Sequence, residues 1–140
     1  MKAKVFFDEI DPKYKKLVEM YSLAYLRAAE GKGHEHHSLG EPYDQQYILR
    51  GTRMFGIGGP QFQIGKKNEQ IGKRLKSINL DIPVGGPTDA GSKAAQDRHV
   101  ELRSLVAEFL DIMNYSAAGA IRLLELDDYE FYSSNIPEEQ

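Results

Sequence analysis

The sequence predicts an all-α fold, an antiparallel helical bundle of three to four helices built as a single domain over residues 1–140. Three observations carry that expectation. Ser92 to Glu125 runs for more than thirty residues without proline, and its only glycine, Gly119, comes near the end. Pro12 to Glu30 and Pro60 to Ile78 each open on a proline and repeat apolar residues at the 3.6-residue period of a helix. Glycine- and proline-rich stretches, GKG, FGIGGP and NLDIPVGGPTDAG, separate these runs.

Taken in order, Met1 to Ile10 is read as a short extended arm through Val5, Phe6 and Phe7. Asp11-Pro12 is a helix start, with the aspartate as N-cap and the proline at the first position, where its missing N–H costs nothing. Tyr14, Leu17, Val18, Tyr21, Ala24, Tyr25 and Ala28 continue at helical spacing until Gly31 and Gly33 stop the run. Residues 31–59 are read as a functional loop, because GKGHEHHSLGEPYDQQ carries three histidines and little apolar content. Within it Asp44 to Met54 has the pattern of a short helix with Tyr47, Ile48 and Met54 facing inward.

The Pro60 helix presents Ile64, Ile71, Leu75 and Ile78 as a narrow apolar stripe. Its Gly65 and Gly72 share a side, and since glycine costs a helix about 1 kcal/mol relative to alanine, close packing is expected there. In the long helix Leu102, Leu105, Val106, Phe109, Ile112, Met113, Ala117, Leu123 and Leu124 fall on one side, the pattern of a helix buried along its length. Beside them Asp97, Glu101, Ser104, Glu108, Asp111 and Tyr115 form a second stripe. The tail, residues 126–140, carries Tyr129, Phe131 and Tyr132, expected to dock on the body or on a neighbouring subunit.

Composition narrows the function classes. The absence of cysteine removes disulfide frameworks and thiolate metal chemistry and suits a reducing cytoplasm. No apolar run approaches the roughly 20 residues of a membrane span, and MKAKVFFDEI lacks the apolar core of a signal peptide. A formal charge of −3 without a block of like charge gives no footprint for a nucleic acid polymer. A single nucleotide needs only a few local cations and stays open.

The candidate site centres on Glu108 and Asp111, an E-x-x-D pair one turn apart, with Asn114 three residues on. Carboxylates at this spacing suit a hard divalent cation such as Mg²⁺ or Mn²⁺, and beside a buried face they are costly without one. Solvated helical acids have the same spacing. On the Pro60 helix Lys66, Glu69 and Lys73 share a side, with Lys67, Gln70 and Arg74 adjacent. One reading is intrahelical ion pairing; the other gives Glu69, with Glu108, Asp111 and Glu101, to a metal, and Lys66, Lys67 and Arg74 to phosphate oxygens. The HEHH run at His34 to His37 lacks the H-E-x-x-H helix and the cysteines of a zinc site, so Glu35 and His37 are read as phosphate contacts or supports of a metal ligand.

With these residues in view, GKGHEHHSLGEPYDQQ, QFQIGKKNEQIGKRL and EFLDIMNY in that order resemble small phage and prophage proteins associated with nucleotide modification or dNTP pyrophosphohydrolysis. Those are similar to the all-α MazG-type nucleotide pyrophosphatases. The resemblance covers Asp11 to Leu124 and is most specific at Glu108 to Tyr115, which matches the E-x-x-D half of the MazG metal motif. It implies a Mg²⁺- or Mn²⁺-dependent hydrolase, active as a homodimer or homotetramer, that converts a dNTP to dNMP and pyrophosphate in the host cytoplasm. Glu108, Asp111, Glu69 and Glu101 would hold the metal; Asn114 and Tyr115 would orient ligands, and Tyr43 or Tyr47 would stack on the base. One departure stands out: the E-E-x-x-E cluster of that family is reduced here to Glu69. The alternative is a helical protein that binds a nucleotide or host factor without hydrolysis.

Overall fold

A computed structural model of the chain describes residues 10–30, 41–78 and 93–129. The expectations for the N-terminal arm before Ile10, for Glu35 and His37, for the turn after Ile78 and for Phe131 and Tyr132 lie outside those residues. Among the described residues the fold is all-α, with four α-helices and two short 3₁₀ turns.

Asp11 caps the first helix as expected. Its backbone is extended and its Oδ1 accepts the Lys13 N–H at 2.9 Å. The turn it opens, Pro12–Tyr14, is wound as 3₁₀, and α1 follows as Lys15–Glu30. The expected Asp44–Met54 helix is instead a 3₁₀ turn, Tyr43–Gln45, followed by α2, Tyr47–Phe55. Gly56 closes α2 at φ +89°, a left-handed conformation open to glycine, and its N–H donates to the Thr52 carbonyl at 2.9 Å. Only two residues later α3 begins, Gly58–Ser77, with Pro60 in its first turn where no backbone donor is needed. The long helix, α4, is Lys93–Leu126.

α4 is the spine: α1, α2 and α3 all pack on it, α2 also meets α3, and α1 meets no other helix among the described residues. Both α1 and α3 run antiparallel to it. Ala24 and Arg27 meet Asn114 and Asp111, and Lys67 and Arg74 meet Glu108 and Glu101, so chain numbers rise on one side as they fall on the other.

Among the described residues the buried apolar ones are few: Ala24, Leu49, Ile71, Leu105, Leu110 and Ala118. Leu49, 1% exposed, contributes about 2 kcal/mol by burial. Several inward assignments are corrected. On α2 it is Leu49 and Thr52 that are buried, while Tyr47 and Met54 are exposed. The rotation is fixed by Arg53, whose guanidinium spans Glu125 at the end of α4 (2.6 Å) and the Asp44 carboxylate (2.8 Å) and carbonyl (2.7 Å). Hydrogen bonds from Arg53 hold the Glu125 carboxyl below the usual range. Tyr14 in the opening turn and Leu17, Tyr21 and Tyr25 on α1 are exposed, because a helix with a single helical neighbour among the described residues hides only a narrow strip, here the small residue Ala24.

α4 is likewise not buried along its length, since Val106, Phe109 and Leu123 face outward. Among the described residues nothing packs on Gly65 or Gly72; the glycine with a neighbour is Gly119, where an added Cβ would lie in ordinary contact, 3.9 Å, with the Pro60 side chain. Among the described residues no helix is long and apolar enough to cross a membrane.

Candidate functional site

Three helices bring charge to one place. α4 supplies Glu108 and Asp111, one turn apart and therefore on one side. α3 supplies Lys67, whose Nζ lies 3.1 Å from Glu108 Oε2 and 3.1 Å from Asp111 Oδ2. α1 supplies Arg27, which donates from Nε to Asp111 Oδ1 at 2.6 Å and from a terminal nitrogen to Oδ2 at 3.1 Å. Lys67, Glu108 and Asp111 are only 17%, 20% and 23% exposed, so their attraction is less screened than that of surface pairs.

The electrostatics follow from this geometry. For Asp111, burial works against the ionised form, but hydrogen bonds from Arg27 and Lys67 and their charges outweigh it and hold the carboxyl below its usual value. Lys67 is the mirror case: burial favours the neutral amine, and Asp111 and Glu108 together still raise its pKa. Arg27 is raised chiefly by its hydrogen bond to Asp111. Arg27, Lys67 and Asp111 are therefore all charged at neutral pH.

The same pairing repeats two turns away. Seven residues further along α3 and seven back along α4, Arg74 donates to Glu101 at 2.9 Å. This seam sets the register of α3 on α4. Asn114 sits at the other end of the cluster, and its amide donates to the Ala24 carbonyl at 3.0 Å, so it ties α4 to α1. Tyr115 is partly buried on α4.

Two expected members stand apart. Glu69 is about 200° round α3 from Lys67; it is 69% exposed and pairs with Lys73 at 3.2 Å. The structure thus realises the intrahelical reading for that pair and does not bring Glu69 to Glu108 and Asp111. Lys66 is exposed on α3. Tyr47 is covered on one side by the Arg50 guanidinium, 5.4 Å from the ring centroid.

The residues that are gathered suit a divalent cation in one respect. Glu108 and Asp111 are hard oxygen donors, and both reach the same Lys67 nitrogen, which marks a point where positive charge is held between them. They form a pair and not a cage: among the described residues no group of three or more histidine, cysteine, aspartate or glutamate side chains is placed to hold a metal. Such an ion would draw its other ligands from water and from ligand phosphates, as Mg²⁺ commonly does.

No protein-family model, curated protein or solved structure matches this chain.

Sequence reading missed Arg27. Its signal was slight, one cation between the small residues Ala24 and Ala28 on the inward side of α1. It missed the Arg53–Glu125 contact for a different reason, since nothing in a 72-residue separation announces a pairing.

Proposed function

We propose that this chain is a nucleotide pyrophosphohydrolase of the MazG-like kind, converting a dNTP to dNMP and pyrophosphate at the Lys67–Glu108–Asp111 cluster. The observation that carries the reading is the meeting of both E-x-x-D acids with a lysine from the neighbouring helix at one half-buried point. A triphosphate carries the charge that Lys67 and Arg27 can take, and their departure from Glu108 and Asp111 frees two carboxylates for Mg²⁺ or Mn²⁺. The ion, when bound, neutralises phosphate charge and makes coordinated water more acidic. Glu108 and Asp111 would hold it, and one of them would take a proton from the water that attacks the α-phosphorus. As the bond from the α-phosphorus to the bridging oxygen breaks, Lys67 and Arg27 balance the charge gathering on pyrophosphate. Arg74, two turns from Lys67 along α3, extends the line of cations. The setting expected from the resemblance is phage nucleotide metabolism.

A second reading has its own support. Glu69 faces away and Glu101 is held by Arg74, which leaves two acids where the hydrolases have more. The cluster then binds nucleotide without cleaving it.

Incubating the full chain with the four dNTPs and Mg²⁺ or Mn²⁺, and measuring pyrophosphate, decides between them. Release of pyrophosphate from at least one dNTP is the expected result. A dNTP that raises the unfolding temperature but is not cleaved leaves the binder; neither response removes both.

A further inference from the structure

Among the described residues two polar ties join α1 to α4, and they are neighbouring rungs of one ladder. Arg27 reaches Asp111; one turn back along α1, the Ala24 carbonyl accepts the amide of Asn114, one turn forward along α4, at 3.0 Å. Three residues are about 4.5 Å of helix, and because the helices run antiparallel both ties hold the same register. Little apolar burial supports them. Ala24 is the one buried residue of α1, and α4 is the one α-helix that α1 meets among the described residues.

The two ties differ in what they can give up. Arg27 is 41% exposed and sits on a long, flexible side chain, so it can turn from Asp111 to another anion without any movement of the backbone. Asn114 is half-buried, and its amide ends on a main-chain oxygen of α1, which cannot leave unless the helix does. Once Arg27 exchanges Asp111 for a phosphate, the Asn114–Ala24 bond is the polar tie that remains between the described parts of the two helices. That bond then decides whether Arg27 stays beside Lys67 or drifts off with its helix.

We propose that Asn114 is a positioning residue for the anion site: by holding the Ala24 carbonyl it keeps α1 docked on α4 while Arg27 turns to a bound phosphate. The role rests on reading the cluster as a triphosphate site. It differs from the ligand contact expected of Asn114 from the sequence, because its effect on the ligand passes entirely through Arg27.

Asn114→Leu keeps the size of the side chain and removes the donor. In the full chain without ligand, hydrogen exchange of the α1 amides Ala24 to Ala28 is expected to speed up about five-fold in this variant, the loss of one hydrogen bond, with α3 amides unchanged. Calorimetric titration then uses a dNTP analogue that resists cleavage between its α- and β-phosphates, in Mg²⁺. Asn114→Leu is expected to weaken its binding by about five-fold in the wild-type background and again in Lys67→Met, but by less than about two-fold in Arg27→Ala, where nothing is left to position. An equal loss in Arg27→Ala and wild type would make Asn114 a direct ligand contact and overturn the proposal. So would unchanged exchange in α1, or exchange that rises alike in every helix. A wild type that binds no analogue removes the triphosphate reading and the proposal together, whereas the other failures leave that reading standing.

Discussion

Replacing Glu108 with glutamine is expected to lower pyrophosphate release by at least about 100-fold while leaving the unfolding temperature within a few degrees of the wild type. The two effects separate because of what the substitution removes. Glutamine keeps the volume and an acceptor oxygen for Lys67, and Lys67 keeps its second partner, Asp111, at 3.1 Å. What is lost is one negative charge from a site that, in the proposed reaction, would hold a cation and accept a proton. A side chain serving only as a solvated helix edge would not show the loss of rate. The measurement is a paired one, initial rate and thermal midpoint on the same preparations. Equal rates in wild type and variant would remove Glu108 from the chemistry.

Asp111→Ala is expected to act on stability as well. Removing one partner of a fully buried ion pair costs 3–5 kcal/mol, and because Asp111 keeps about a quarter of its side chain in solvent the expected cost is about 2 kcal/mol. For a chain of this length that lowers the unfolding temperature by about 6–8 °C. The pH dependence has a definite sign. The folded carboxyl lies below its ordinary value of 3.8, so the stability it contributes is fully present above that value. It is lost as pH falls through the lower, folded pKa. Urea unfolding at neutral pH should therefore show the full gap between wild type and variant, and the gap should close progressively below about pH 4. A double-mutant cycle with Arg27→Ala should return a coupling of about 1–2 kcal/mol. A gap that is constant with pH would mean that Asp111 acts through packing and not through charge.

Much of the helical framework was legible because its signals are local. Asp11-Pro12 encodes a cap, and the long proline-free run encodes α4, with ends that fall within a residue or so of Ser92 and Glu125. Facing directions were harder, because periodicity tells which residues share a side but not which side has a neighbour. Tyr21 and Tyr25 on α1 and Val106 and Phe109 on α4 keep regular spacing yet are exposed, since α1 has one helical neighbour and α4 has three that leave a face open. The candidate site divides along the same line. Glu108 and Asp111 share a side by spacing alone, so their proximity was readable. Lys67 was one of several cations on its helix, and its selection over Lys66 depends on the register set by Arg74 and Glu101. Glu69 was misplaced because its neighbours in sequence resemble a ligand set, whereas about 200° of helix separates it from Lys67.

The claim on which the account rests is that the Lys67, Glu108 and Asp111 cluster is where a nucleoside triphosphate is held. Calorimetric titration with a dNTP analogue that resists cleavage between its α- and β-phosphates, in Mg²⁺, tests it on wild type and on Lys67→Met. Binding to the wild type with affinity at least ten-fold weaker in Lys67→Met is the expected result. Equal affinity in the two proteins, or no heat of binding to either, contradicts it.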